Sequence, residues 1–279
     1  MSKGYLVFAQ NSKVDYLRQA IALSASLKAN GNFEPVSVVT NDPVPDDYRF
    51  LFDRVISIPW GDNSKHSEWK VENRWKLYHI SPYDETIVFD SDVLVTENLT
   101  NAWNFLLSYD LFFVSTVFDF KARPIIDTVH RKAFVENNLP NIYFGFHYFK
   151  KSDLANSFYQ LLEEIVKNYQ MYYSVFAKNS QQEFVSMDLS SSIAVKILGI
   201  ENHVTCPVVE PARFIHMKPA LQSFSTEISD WSKVLSIDYN ESLIVGNHVQ
   251  RGVFHYVDDN FLSIEIFNNL CQQKVNLEQ

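Results

Sequence analysis

Short apolar runs alternate with longer amphipathic segments through the first half of the chain. The apolar runs predict strands, which lie at residues 5–9, 36–40, 55–58 and within 85–99. Between them, residues 15–30 and 67–80 carry apolar positions at helical spacing and predict helices. Asp15 is placed to cap the first helix, Gly31 to end it, and Pro82 to end the second. Strands that alternate with helices are typical of crossover units, so the pattern predicts an α/β protein with a mainly parallel sheet.

The second half of the chain has longer helices and a less regular end. Residues 111–117 and 142–149 predict two more strands, and Ser152 is placed to cap a helix that runs to about residue 172. Residues 186–198 predict another helix, and a last one starts at about residue 260. Short strands are predicted near Phe214, Leu235, Leu243 and Phe254. No repeat or linker separates these elements in the sequence, which favours a single domain.

Composition restricts the classes of function. The 279 residues are 46% hydrophobic and 15% aromatic, which predicts an ordered core. A formal net charge of -9 argues against an extended nucleic-acid surface, because such surfaces need clustered Lys and Arg. The two cysteines, Cys206 and Cys271, are far apart and are expected to be reduced thiols. Without a secretory leader pattern or a membrane-span pattern, the sequence predicts a cytoplasmic protein.

Two carboxylates stand at the end of a strand that is apolar on both faces. In the stretch ETIVFDSDVLVTENL, Asp90 and Asp92 follow the run 87–89 and precede the run 93–95. If the extended backbone continues, the two side chains point the same way and share one cation, of which Mg and Mn prefer oxygen ligands. The alternative is that both are turn residues that bond nearby backbone amides. The carboxyl ends of strands border the ligand crevice of open α/β sheets, which favours a site.

The segment YDETIVFDSDVLVTENL resembles the metal-binding segment of GT-A glycosyltransferases, in particular the family of glycogenin and the bacterial lipopolysaccharide galactosyltransferases. The resemblance extends over roughly residues 4–220. It implies an α/β GT-A (Rossmann-like) nucleotide-diphospho-sugar transferase fold, with a mainly parallel central sheet flanked by helices. It also implies that Asp90 and Asp92 bind Mn2+ or Mg2+ together with the diphosphate of a nucleotide sugar.

Further segments resemble the nucleotide and metal contacts of the same family. The segment VFAQNSKVDYL is similar to its nucleotide loop, and the matching positions are Phe8, Ala9, Gln10, Asn11 and Tyr16. NRWKLYHISPYDE resembles a helix whose Arg faces the nucleotide, which implies that role for Arg74; Lys70, four residues earlier, would share its helix face. FIHMKPA resembles the segment that carries the third metal ligand and a diphosphate-binding lysine, which implies these roles for His216 and Lys218.

Weaker matches concern the sugars. Gly145, in IYFGFHYFKKSD, matches a small-residue turn beside the acceptor, and Ser91 is expected to contact substrate. Asp188, in EFVSMDLSSSIA, matches an Asp that lines the donor sugar and is the candidate catalytic residue; a helix N-cap is the equally weighted alternative. In HVQRGVFHYVDD, His248, Arg251 and His255 could close over the site or decorate a strand.

The sequence thus predicts a metal-dependent hexosyltransferase that uses a nucleotide sugar, with UDP favoured. The acceptor is a hydroxyl of a glycan, a lipid or a protein, and the resemblance implies retention at the anomeric carbon. Residues 1–220 are predicted to form the catalytic domain, with 221–279 as a C-terminal extension packed on it. Two alternatives stay open: an inactive module that binds sugar nucleotides or glycans, and a Mg-dependent phosphatase of the haloacid dehalogenase type, which also carries Asp-x-Asp after an apolar strand.

Overall fold

A six-stranded sheet forms the centre of the computed structural model, which describes residues 1–125, 131–178, 184–217, 235–237, 242–256, 258 and 260–272. Its strands are β1 (Lys3–Phe8), β2 (Val36–Val39), β3 (Arg54–Ile56), β4 (Glu85–Phe89), β6 (Leu111–Val114) and β7 (Tyr143–Lys150). Their order across the sheet is β3-β2-β1-β4-β7-β6. Only β7 runs against its neighbours within this sheet, so the predicted mainly parallel α/β architecture is confirmed.

Helices cover both faces of this sheet. The described helices are α1 (Tyr16–Ala29), α2 (Leu77–Ile80), α3 (Thr100–Leu106), α4 (Lys132–Glu136), α5 (Asp153–Lys167), α6 (Tyr169–Phe176), α7 (Met187–Leu198), α8 (Glu201–Val204) and α9 (Ile264–Gln272). None of these described helices has both the length and the apolar character that a membrane crossing needs.

The alternation of side chains along β1 divides the core into two layers. Tyr5 and Val7 belong to the buried cluster that includes α1, whereas Leu6 and Phe8 belong to the cluster that includes α5 and α7. Successive residues of a strand point to opposite faces, so a strand buried on both faces is apolar at every position. This is why the central strands are continuous apolar runs in the sequence.

Two smaller sheets lie beside the central one. The first has the order β5-β12-β8 and joins Val93–Val95, Val253–His255 and Phe214–His216. The second has the order β11-β10-β9 and joins His248–Val249, Leu243–Val245 and Leu235–Ile237. The first sheet brings residues from the end of the chain against the strand that follows Asp92.

The structure corrects two of the predicted elements and confirms two of the predicted helix caps. The stretch 85–99 is not one strand, because the chain turns at residues 91–92 and β5 joins a different sheet from β4. The predicted helix over 152–172 is two helices, α5 and α6, which meet at Asn168. The caps at Asp15 and Ser152 are confirmed, since each side chain accepts a hydrogen bond from a backbone N–H of its helix.

The predicted helix over residues 67–80 is also wrong. The segment contains only a 3-10 turn, Arg74–Lys76, and the single turn α2, and Lys70 has a φ of 53°. Lys70 and Arg74 therefore do not share a helix face. The physical reason is that polar side chains replace the helical backbone bonds: Lys70 Nζ donates to Ser64 O (2.7 Å), and Asn73 Oδ1 accepts from Asn63 N (3.0 Å).

The predicted boundary at residue 220 falls outside the described residues, so the division into a catalytic domain and an extension stays a prediction. The described residues beyond it do contact the first part of the chain. The ring of Phe267 in α9 lies 5.5 Å from the ring of Tyr48, and the Arg18 guanidinium lies 4.8 Å from the same Phe267 ring.

Candidate active site

The loops that follow β1, β2, β3 and β4 lie at one edge of the central sheet. These four strands are parallel, so their carboxyl ends meet there. The loops carry the polar residues Gln10, Asn11, Asp42, Asp62 and Asp90. A crevice at this edge is the usual ligand site of open α/β sheets.

Asp90 is held firmly where it leaves β4. Its backbone N donates to Gly145 O (3.0 Å), and Arg74 Nη1 donates to its Oδ1. Gly145 lies inside β7 rather than in the predicted turn, and a Cβ on Gly145 would stand only 2.6 Å from Asp90 Oδ2. Gly145 therefore leaves the room that the carboxylate occupies. Its predicted contact with the substrate stays a prediction.

Asp90, Asp92 and His255 form a candidate metal centre. One ligand atom from each lies within 4.8 Å of the others, and His255 Nε2 is 3.1 Å from Asp92 Oδ2. β12 brings His255 here, because it pairs with β5 and sets His255 opposite Val93. Two carboxylates and an imidazole suit Mn2+, and the carboxylates suit Mg2+, so the residues fit the implied ion.

Burial and mutual charge perturb all three groups. Burial raises the pKa of Asp90, and repulsion from Asp92 adds to this against the attraction of Arg74. Burial opposes ionisation of Asp92 as well, but His255 beside it brings the pKa of Asp92 below its ordinary value. For His255, burial opposes protonation, yet Asp92 and then Asp90 raise its pKa. Arg74 and His255 thus supply positive charge to a carboxylate pair that a divalent cation would also compensate.

His216, the predicted third ligand, lies one strand away from His255. β8 and β12 are parallel and set the two histidines opposite each other, with ring centroids 4.9 Å apart. Among the described residues, the cluster of ligand atoms contains His255 and not His216, so metal binding by His216 stays a prediction. Lys218, the predicted diphosphate contact, lies outside the described residues. In the segment HVQRGVFHYVDD, which also carries His255, the residues His248 and Arg251 are exposed.

Asp188 lies on the far wall of the same site. Its Oδ1 accepts from Phe144 N (2.7 Å) and its Oδ2 from Arg131 Nη1 (2.5 Å). The alternative of a helix cap is wrong, because the Ser186 side chain accepts from Leu189 N and is the N-cap of α7. Arg131 was missed in the sequence, where nothing separates it from other basic residues.

The guanidinium of Arg131 is sandwiched between two rings. It lies 3.9 Å from the ring of Phe134 and 3.9 Å from the ring of Tyr143, and Arg131 is buried. Its Nε donates to Asn141 Oδ1 (2.7 Å), and Nη2 donates to Ile142 O. A buried charge of this kind needs a counter-ion, and Asp188 supplies it.

A cavity of about 270 Å³ joins the two halves of the site. Arg74, Asp90 and Asp188 line it, together with Trp69 and Phe184, whose rings are 6.3 Å apart. The lining of the cavity therefore includes charged groups and two half-exposed aromatic rings. A ligand with both anionic and apolar surfaces would find partners here.

The predicted nucleotide loop surrounds the start of α1. Phe8 and Ala9 are buried in the core, and Tyr16 begins α1 and packs against it. The Gln10 amide is engaged within the protein, since Nε2 donates to Asp62 Oδ2 (2.7 Å) and Oε1 accepts from Asn73 Nδ2 (3.0 Å).

Two other predicted positions also use their side chains internally. Asn11 Oδ1 accepts from Leu17 N (2.8 Å), and the buried Ser91 donates to Gln19 Oε1 (2.9 Å). Contacts of Gln10, Asn11 and Ser91 with a nucleotide or substrate stay predictions.

Comparison with known proteins finds similarity in structure. No protein-family model and no curated protein matches the sequence. The glycosyltransferase GlyE of Streptococcus pneumoniae TIGR4 is similar over 100% of this chain, with 13% identity and a TM-score of 0.52. This chain spans 63% of the length of that GlyE chain.

The galactosyltransferase LgtC, solved in complex with donor and acceptor sugar analogs, is similar over 96% of this chain and 95% of its own. The identity is 15% and the TM-score is 0.51. At this level of identity the similarity concerns the fold. The mainly parallel sheet flanked by helices agrees with it, and we conclude that the chain has the fold of the GT-A glycosyltransferases.

Proposed function

We propose that the chain is a metal-dependent glycosyltransferase, which moves a hexose from a nucleotide sugar to a hydroxyl acceptor. The observation that carries the proposal is the cluster of Asp90, Asp92 and His255 at the carboxyl edge of a GT-A sheet. UDP is the favoured nucleotide and retention the favoured stereochemical outcome, both on the resemblance of the sequence segments. The acceptor is a hydroxyl of a glycan, a lipid or a protein.

Asp90, Asp92 and His255 would hold the Mn2+ or Mg2+, with His216 as a further candidate ligand. When bound, the ion supplies charge stabilisation for a leaving diphosphate. Arg74 orients the Asp90 carboxylate and offers a guanidinium to the cavity, where a nucleotide diphosphate would meet it. Lys218 is proposed as a second cationic contact for the diphosphate.

Asp188 is proposed to lie against the donor sugar. It lines the same cavity as Asp90, and Arg131 and Phe144 N fix the orientation of its carboxylate. A preorganised carboxylate can stabilise positive charge that develops at the anomeric carbon in the transition state. Residues 1–220 would contain this whole site except His255, which the extension would add.

Calorimetry with UDP tests the metal centre. We expect wild-type protein to bind UDP with Mn2+ present and to lose most of the affinity in excess chelator. Asp92→Asn should weaken metal-dependent binding at least tenfold, because it removes an anionic ligand. Asp47→Asn, a change at an exposed carboxylate of the turn Asp46–Leu51, is the matched control and should bind as wild type. Equal binding of UDP with and without chelator would refute the metal centre.

Slow hydrolysis of nucleotide sugars tests the chemistry without requiring the acceptor. A panel of UDP-sugars and GDP-sugars incubated with Mn2+ should give one preferred donor, released as free sugar and nucleoside diphosphate. Tight nucleotide binding with no hydrolysis of any donor would favour the inactive binding module instead. The GT-A fold of the chain gives the phosphatase alternative no support.

A further inference from the structure

The turn after β3 holds a tryptophan outward from the protein. Trp60 is 66% exposed and has a φ of 56°, a left-handed conformation that bulky residues rarely adopt. Gly61 follows with a φ of 78°. Backbone strain of this kind persists only where the surrounding structure enforces it, and it concentrates at functional positions.

A buried lysine enforces this turn. Lys76 has no exposed surface, and its Nζ donates to Pro59 O (2.9 Å) and Gly61 O (2.6 Å), the carbonyls on either side of Trp60. Its third hydrogen bond goes to Asn73 Oδ1 (2.7 Å). Burying an ammonium group is costly, and here two of its three donors hold the backbone that presents Trp60 while the third is satisfied by Asn73.

Trp60 forms one wall of a groove of about 290 Å³. Its ring stacks on that of Trp75, with centroids 6.0 Å apart and 12° between the planes, and meets the His79 ring edge to face at 5.9 Å. The groove is lined by Trp60, Asn63, Trp75, His79, Glu163 and Lys167. Trp75 is 4% exposed, and its Nε1 has no hydrogen-bond partner within the described residues.

The charges in this groove compensate each other. Lys167 Nζ lies 2.5 Å from Glu163 Oε1, and burial lowers the pKa of His79, which favours its neutral form. The groove therefore offers hydrogen-bonding groups without a net charge to attract an ion. A neutral ligand with hydroxyl groups and an apolar face matches these properties.

The groove is separate from the candidate metal centre. It shares no lining residue with the cavity that contains Asp90 and Asp188. The two are nevertheless neighbours along the chain, because Arg74 contacts Asp90 while Trp75, the next residue, lines the groove.

We propose that the Trp60 groove is a saccharide-binding subsite, which holds a neutral part of a glycan away from the metal centre. One face of a pyranose ring consists of C–H groups, which carry partial positive charge and pack against the negative face of an aromatic ring. Its hydroxyls lie at the edge, where Glu163, Lys167 and His79 can bond them. The choice of a saccharide over another flat ligand rests on the proposed function.

A printed glycan array tests the proposal. The biotinylated chain is displayed on streptavidin, which raises the apparent affinity of weak sites, and is applied with chelator and without nucleotide. We expect binding to a set of neutral oligosaccharides that is kept in Asp92→Asn and reduced at least tenfold in Trp60→Ala. Trp60→Phe keeps an aromatic face and should retain part of the signal.

Phe33→Ala is the matched control, since it removes a ring that is 79% exposed and precedes β2, at the opposite edge of the sheet. Melting curves of each variant exclude unfolding as the cause of lost binding. Equal glycan binding by Trp60→Ala and wild type would overturn the subsite, as would an array without any signal. Binding of free uridine or guanosine that depends on Trp60 would overturn it in favour of a base-stacking site.

The two proposals fail separately. Glycan binding is measured without metal or donor, whereas donor hydrolysis is measured without acceptor. A chain that binds glycans through Trp60 and hydrolyses no donor would keep the subsite and lose the proposed transferase activity.

Discussion

Gly145→Ala should disturb the metal centre although it leaves all the proposed metal ligands in place. The added Cβ would lie 2.6 Å from Asp90 Oδ2 and 3.1 Å from Asp90 Cγ, whereas ordinary van der Waals contact begins at 3.4 Å. The carboxylate must therefore move by about 0.8 Å. It cannot do so freely, because Arg74 holds Oδ1 and the Asp90 backbone is bonded to Gly145 O.

The cost of this crowding divides between stability and metal binding. Overpacking a well-packed site costs about 1–3 kcal/mol, which sets the expected loss of unfolding free energy. A metal site tolerates ligand displacements of only about 0.2 Å, so a carboxylate moved by several times that distance should bind the ion poorly. We expect the affinity for UDP in the presence of Mn2+ to fall by roughly 10-fold to 100-fold, which is about 1.4–2.7 kcal/mol.

Titration calorimetry and urea denaturation measure the two effects on the same preparation. Gly199→Ala is the control, because Gly199 has a φ of 65° and open space around it. That variant should lose about 1 kcal/mol of stability from backbone strain and keep its affinity for UDP. The double variant Gly145→Ala, Asp90→Ala should bind no worse than Asp90→Ala alone. Wild-type affinity in a folded Gly145→Ala protein would refute the reasoning.

Three further predictions follow from buried or oriented polar groups. Asp188→Asn should lower donor hydrolysis at least tenfold with little change in UDP affinity. It should also lower the free energy of unfolding, because it removes the counter-ion of Arg131. Unchanged hydrolysis would assign Asp188 a structural role. Lys76→Met should cost about 1–3 kcal/mol in urea denaturation and weaken glycan binding at Trp60, since two partly buried carbonyls lose their donor. Burial lowers the pKa of His147 from 6.5 to about 3, so the unfolded chain takes up the proton first and stability falls as the pH drops from 6.5 towards 3. At pH 5 the resulting loss of unfolding free energy is about 2 kcal/mol. Urea denaturation at pH 7 and pH 5 should show this loss for the wild type and not for His147→Gln.

The sequence predicts best the features that depend on local patterns. Continuous apolar runs identify the central strands because those strands are buried on both faces. The caps at Asp15 and Ser152 are local as well, since each requires one side-chain oxygen at the first turn of a helix. The position of Asp90 at the end of β4 follows from the same patterns.

The segment from Trp60 to Lys76 could not be predicted in this way. Its backbone is held by side chains of the same segment that lie several residues away, such as Lys70, which bonds Ser64 O, and Lys76, which bonds Gly61 O. Gln10, from the loop after β1, bonds the Asp62 side chain in addition. Lys76 reads as a surface residue in the sequence, yet it is fully buried because three acceptors surround its ammonium group. Two of these acceptors lie 17 and 15 residues before Lys76, which is too far for a local sequence pattern to indicate the contact.

The histidine of the candidate metal centre shows how strand register decides chemistry. His216 and His255 are equivalent by residue type, and the sequence resemblance favours His216. β12 lies in the middle of its small sheet, between β5 and β8. Of the two histidine-bearing strands, β12 and not β8 therefore pairs with β5, the strand that follows Asp92. His255 consequently approaches Asp92, whereas His216 is one strand further away. With the strand order β5-β8-β12, the same sequence motifs would have placed His216 rather than His255 beside Asp92. The metal ligand must therefore be tested by substituting both histidines and not one alone.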